Sequence, residues 1–85
     1  MYSDERIFEL IKILKMRGEI RFEKEFCEEA GLLHQNLSRI RNGHAHFTPD
    51  HIRNICKAYK VNANWIFGVE EKIFRRKSLS QASVE

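Results

Sequence analysis

Apolar residues recur at helical spacing in five short consecutive segments, and no segment of useful length alternates strictly between apolar and polar positions. The pattern predicts an all-α domain of five helices. In the first segment Ile7, Phe8, Leu10, Ile11 and Leu14 form one stripe, Ser3 and Asp4 offer N-cap oxygens, and Gly18 stands where a left-handed stop is expected. The second stripe is Phe22, Phe26, Cys27 and Ala30, closed by Gly31, with Leu32 beyond it. The third is Leu33, Leu37 and Ile40, ending at Asn42 and Gly43. Thr48 then precedes the sole proline, Pro49, which suits the first position of a helix because an N–H there would lack an intrahelical partner. The fourth helix turns Ile52, Ile55, Cys56 and Tyr59 inward, and Asn62 caps a fifth through Ala63, Trp65, Ile66 and Phe67, stopped by Gly68. Residues 69–74 have no clear period and fit either an extended arm or one more helical turn. Residues 76–85 are poor in apolar side chains and read as a flexible tail.

Eighty-five residues supply one small core, placed at residues 1–75, and leave no room for a large substrate cleft or a second catalytic domain. No Ser/His/Asp, Cys/His or paired-carboxylate arrangement is supported by the spacing, so neither an enzyme nor a cofactor is expected. No run approaches the roughly 18 apolar residues of a membrane span, and residues 1–4 lead into charge rather than into a signal peptide. A cytoplasmic protein without a membrane partner is expected. Cys27 and Cys56 have no close partner in sequence, and each falls on an apolar stripe, which predicts reduced core thiols rather than a disulfide or a metal site.

Net charge is +3, but it is unevenly distributed. Residues 1–33 carry eight acids and six bases, residues 34–60 one acid and five bases, and residues 61–85 three acids and four bases. All four histidines lie in the basic middle segment and add to its charge on acidification. A basic segment concentrated in a small domain points to a polyanion, most often nucleic acid, although a solvated basic face without a partner has the same composition.

The third helix falls within this segment. At about 100° per residue, Leu33, Leu37 and Ile40 set its buried direction. Gln35, Ser38, Arg39 and Asn42 gather on the opposite side, and His34 and Asn36 flank the stripe. Such a face suits the major groove, where Gln bonds the N6/N7 edge of adenine, Arg bonds O6/N7 of guanine, and Ser serves either. An ordinary solvated helix face uses the same residue types.

The run EFCEEAGLLHQNLSRIRNG at 25–43 resembles the helix-turn-helix of the lambdoid phage repressor and Cro family, the XRE-like regulators. Phe26, Ala30, Leu32, Leu37 and Ile40 match the family's apolar positions, Gly31 its turn glycine, and Cys27 the small residue where the two helices touch. The likeness continues through the fourth helix, through VNANWIFG at 61–68, and into GVEEKIFR at 68–75, so that it covers about residues 5–75. It implies a compact five-helix lambda-repressor-like domain with a helix-turn-helix at about 22–42 and a short C-terminal arm. The implied function is that of a sequence-specific regulator of transcription, a repressor occupying a palindromic operator on double-stranded DNA as a homodimer. Base contacts are implied at His34, Gln35 and Arg39, with Ser38 a fourth. Phosphate contacts are implied at Asn42 and across the loop from His44 through His46 to Thr48. Dimer contacts fall to the fifth helix and the arm, with Trp65, Phe67 and Ile73 as candidates.

Three positions depart from the family pattern. Leu33 and Phe22 stand where Ser or Thr commonly caps the third and second helices. Glu23 stands where a neutral phosphate contact is common, and an acid there repels a phosphate, so Arg21 or Lys24 is expected to take over. The His44, His46 and His51 imidazoles invite a metal reading, but a closed site needs a further fixed ligand, and phosphate proximity explains them more simply. The rival from another class is a protein-interaction module or antitoxin-like regulator whose main partner is another protein, or an effector domain beyond residue 85.

Overall fold

The computed structural model describes residues 1–75. They form an all-α fold of five helices in chain order: α1 (Tyr2–Met16), α2 (Glu23–Ala30), α3 (His34–Arg41), α4 (Pro49–Tyr59) and α5 (Ala63–Ile66). The tail at 76–85, and with it the basic pair following Arg75, lies outside the described residues.

Helix α1 buries Ile7, Leu10, Ile11 and Leu14 as its period requires, and the chain leaves it through Gly18 at φ +77°. Its start differs from expectation. Met1 occupies the N-cap without a side-chain bond, while Ser3 and Asp4 lie inside the first turn and are buried. The Asp4 carboxylate instead reaches the loop after α3, where Oδ1 accepts the Phe47 N–H at 3.1 Å and Oδ2 lies 2.6 Å from His46 Nδ1. A carboxylate in the first turn also suits the positive end of the helix dipole. Phe47, anchored in this way, is a buried core residue in a segment without helical period, and Ile20, between α1 and α2, is another.

Helices α2 and α3 each begin at an apolar N-cap that makes no side-chain bond, Phe22 and Leu33. Both side chains point outward, 64% and 63% exposed, so neither belongs to the buried stripe their spacing predicts. The remaining stripes, Phe26, Cys27 and Ala30 on α2 and Leu37 and Ile40 on α3, are buried. Between the helices Gly31 adopts φ +78°, a conformation glycine takes without steric cost. Helix α2 packs chiefly on α4. There Asn54 Nδ2 donates to the Ala30 carbonyl at 3.0 Å, satisfying a terminal acceptor of α2, and the Phe26 and Tyr59 rings stack at 5.7 Å. Burial, with Glu29 and Glu25 nearby, pushes the Tyr59 hydroxyl up to about 12.

The start of α4 is as the sequence predicts. Thr48 caps it by accepting the His51 N–H at 3.2 Å, His51 Nδ1 accepts the Thr48 N–H at 3.1 Å, and Pro49 stands at N1. Asn62 caps α5 by accepting the Asn64 N–H at 3.0 Å. Trp65 and Ile66 are buried, and the Arg6 guanidinium lies 4.5 Å over the Trp65 ring. The chain closes over Tyr2 at Gly68, where a Cβ would come within 2.8 Å of the Tyr2 ring.

Of the two readings for residues 69–74, the extended arm is realised. Asn62 N–H donates to the Ile73 carbonyl at 2.8 Å and Arg75 N–H to the Lys60 carbonyl at 2.8 Å, with an antiparallel bridge between Val61 and Phe74. The Asn62 amide also donates to Glu70 Oε1 at 2.6 Å, and this bond holds the Glu70 carboxyl below the usual carboxylate range. Both cysteines are free thiols, Cys27 buried and Cys56 half-buried, and burial pushes both up.

Replacing Asp4 by Ala strips the buried Phe47 N–H of its acceptor, and is expected to lower unfolding stability by about 1–3 kcal/mol, read as a shift in the urea midpoint at unchanged slope.

Candidate nucleic-acid interface

With Leu37 and Ile40 turned into the core, the opposite side of α3 presents Gln35, Ser38 and Arg39, all exposed, and Asn42 continues the face at the C-cap. His34, set beside the face by periodicity, is exposed as well, while Asn36 is half-buried. Among the described residues no hydrogen bond or ion pair engages the side chains of His34, Gln35, Ser38 or Arg39. The face therefore offers donors and acceptors to a partner without breaking internal contacts, and Arg39 gives it one fixed positive charge.

The two helices of this unit are tied at the end remote from Gly31. Arg41 Nη2 meets Glu23 Oε2 at 2.9 Å, and the same guanidinium lies 4.7 Å over the Phe8 ring of α1. The pair brings the first turn of α2 alongside the last turn of α3. It also offsets the Glu23 charge, the one acid expected to oppose a phosphate there. Arg21 and Lys24, on either side of Glu23, are exposed. The Arg21 backbone N–H is occupied by Glu25 Oε1 at 3.1 Å, and among the described residues its side chain and that of Lys24 make no ion pair.

The loop from residue 44 to 48 divides the remaining candidates. His44 is exposed, next to Asn42 and Gly43 at the end of α3. His46 is committed through Nδ1 to Asp4, which leaves only Nε2 for a phosphate. The Thr48 hydroxyl is engaged in the α4 cap, and the His51 imidazole closes the same cap. His46 and Thr48 thus carry structural bonds of the loop in addition to the phosphate contacts expected of them. The histidines are likewise parted by these roles, and among the described residues no group of three or more His, Cys, Asp or Glu side chains converges as metal ligands would.

The dimer candidates also separate. Trp65 is 3% exposed beneath Arg6 and is corrected to a core residue, since burying it inside its own domain leaves nothing for a partner. Ile73 is half-buried against the core. Phe67, the C-cap of α5, is 55% exposed, with Val69 exposed two residues on. The Asp4 anchor and the Arg41–Glu23 tie escape sequence reasoning because their partners are 42 and 18 positions apart. A buried-looking acid in a first turn and a basic residue at the end of α3 were the available signals.

No helix among the described residues is long and apolar enough to cross a membrane. No family model, curated protein or solved structure matches the chain.

Replacing the exposed Leu33 by Ser restores a side-chain acceptor at the start of α3 with little loss of burial. It is expected to raise stability by about 1 kcal/mol, visible as a higher thermal midpoint, and an unchanged or lower midpoint would mean that the α3 start is not limited by its cap.

Proposed function

We propose that this protein is a sequence-specific double-stranded-DNA-binding regulator of the helix-turn-helix type, related to the lambdoid repressor and Cro family, that acts by occupying DNA rather than by chemistry. The observation that carries the reading is the outward face of α3. Four polar side chains, Gln35, Ser38 and Arg39 on α3 and Asn42 at its C-cap, stand exposed together on a short helical unit whose opposite side is locked into the core. Major-groove recognition needs this combination of a rigidly held helix and uncommitted hydrogen-bonding groups.

In this reading Gln35 and Arg39 read base edges, with Ser38 and His34 at the margins of the same contact. Asn42, His44, Arg21 and Lys24 meet phosphates, and the Arg41–Glu23 pair keeps an acid from opposing them. One domain spans about half of an operator, so two copies bind a palindrome with half-sites about one helical turn apart. Phe67 is the exposed apolar residue best placed to join them, with the arm beside it. The protein acts as a repressor in the cytoplasm, where the DNA is accessible.

The reading is tested by selecting from a randomised duplex DNA pool at about 0.15 M salt and sequencing what is retained. A palindrome is the expected product, and its affinity should fall steeply as salt rises, because each phosphate contact releases a counterion. The Gln35→Ala/Arg39→Ala double variant should retain its fold and lose discrimination at the selected positions, each good base contact being worth about 1–3 kcal/mol. Unaltered operator binding by that variant would falsify the assignment of α3 as the reading helix.

A further inference from the structure

A groove lies where α4, α5, the start of α1, the loop before α4 and the arm meet. These elements enclose an open groove of about 720 Å³, and no residue of α2 or α3 lines it. Its floor is Phe47, Ile52, Cys56 and Val61, and the exposed side chains of Met1 and Phe67 flank it. Its fixed side-chain charges are all positive. Arg53 and Lys57, one turn apart on α4, and Arg75 on the arm place three fixed cations at the groove. No acid lines it, although twelve of the 85 residues are acidic. The Arg75 guanidinium is held in place by donating to the Cys56 carbonyl at 3.3 Å. Arg53 and Lys57 are exposed and make no ion pair among the described residues.

An apolar trough edged by cations and free of anions complements a molecule that is apolar along its length and anionic at one end. We propose that this groove binds an amphipathic anion of the long-chain carboxylate class, with its alkyl chain over Ile52, Cys56 and Val61 and its carboxylate at Arg53 and Lys57. The volume falls within the roughly 300–1,000 Å³ of small-molecule sites. A second copy fits less well, because a two-fold contact across the groove would oppose Arg53, Lys57 and Arg75 to their own counterparts with no lining acid to offset them. The inference does not rest on α3 as the DNA-reading face, with which the groove shares no residue, although it shares Phe67 and the arm with the proposed contact between copies.

The test is a titration of laurate into the full 85-residue, nitrogen-15-labelled protein, followed by amide chemical shifts, with dodecanol and dodecyltrimethylammonium as neutral and cationic probes of the same chain length. Laurate is expected to saturate a single site with shifts confined to the groove, around Ile52, Cys56, Ala63 and Phe67. Dodecanol should bind about tenfold more weakly and the cation more weakly still. Arg53→Glu with Lys57→Glu should weaken laurate about tenfold and leave dodecanol unchanged, and the milder R53Q/K57Q pair should move in the same direction. Equal affinity for all three probes, laurate binding indifferent to both variant pairs, or shifts spread over α2 and α3 would each overturn the proposal. So would a groove already filled in the free protein by residues 76–85 or by a second copy, or one that takes an acidic amphipathic peptide while refusing laurate.

Discussion

A helix of eight residues does not hold itself together in water, because nucleation costs more than so few hydrogen bonds return. Both α2 and α3 are of that length, and both start without a side-chain cap. Their existence therefore depends on burying one stripe each: Phe26, Cys27 and Ala30 on α2, Leu37 and Ile40 on α3. Tertiary burial fixes the azimuth of a helix along with its presence. Once Leu37 and Ile40 are inside, Gln35, Ser38 and Arg39 must be outside, and none of them has to contribute to stability. The polar face is free of any folding role because the core already does the folding.

Position, as distinct from stability, comes from polar ties. The Arg41–Glu23 pair is exposed at Arg41 and half-buried at Glu23, and such surface pairs contribute roughly 0–1 kcal/mol. What it does is hold the first turn of α2 against the last turn of α3. Asp4 acts more strongly, because it is buried and its two oxygens meet a backbone N–H and an imidazole of the same loop. A buried carboxylate without such partners would be costly, so the loop cannot leave without exposing or stranding it. Through Asp4 the start of α1 sets where α3 ends and α4 begins.

Period and punctuation in the sequence carry most of this fold. Gly18, Gly31, Gly43 and Gly68 all take positive φ at the stops where they were expected, and the Thr48–Pro49 and Asn62 caps form. The failures have a common cause. Phe22 and Leu33 continue an apolar spacing arithmetically, yet each sits one residue before its helix, where the backbone is extended and the side chain leaves the helical phase. Ile20 and Phe47 are core residues outside any period, and no local rule reaches them. The candidate interface was legible wherever it depends on helix phase, at Gln35, Ser38 and Arg39. It was illegible at His46 and Trp65, whose partners Asp4 and Arg6 are set by tertiary contact. The groove could not be read at all, since it is assembled from five segments: the start of α1, the loop before α4, α4, α5 and the arm.

Helix α4 serves both surfaces. Its inward stripe supports α2, with Asn54 bonded to the Ala30 carbonyl, while its flank at Arg53 and Lys57 edges the groove. A molecule lodged in the groove thus touches the helix on which the α2–α3 unit rests, but it does not touch α3 itself. Contact alone conveys nothing across that distance. An occupant changes the outward face of α3 only to the extent that it binds two arrangements of α4 with different affinity. The packing argues against a large difference: Ile55 is fully buried and Ile52 nearly so, and close-packed interiors switch between discrete arrangements rather than yielding gradually. Phe67 and Val69 are exposed at the end of α5 and the start of the arm, and Arg75 bonds across to the Cys56 carbonyl. An anion that draws Arg75 from that bond would act first on the arm, before any effect on α3.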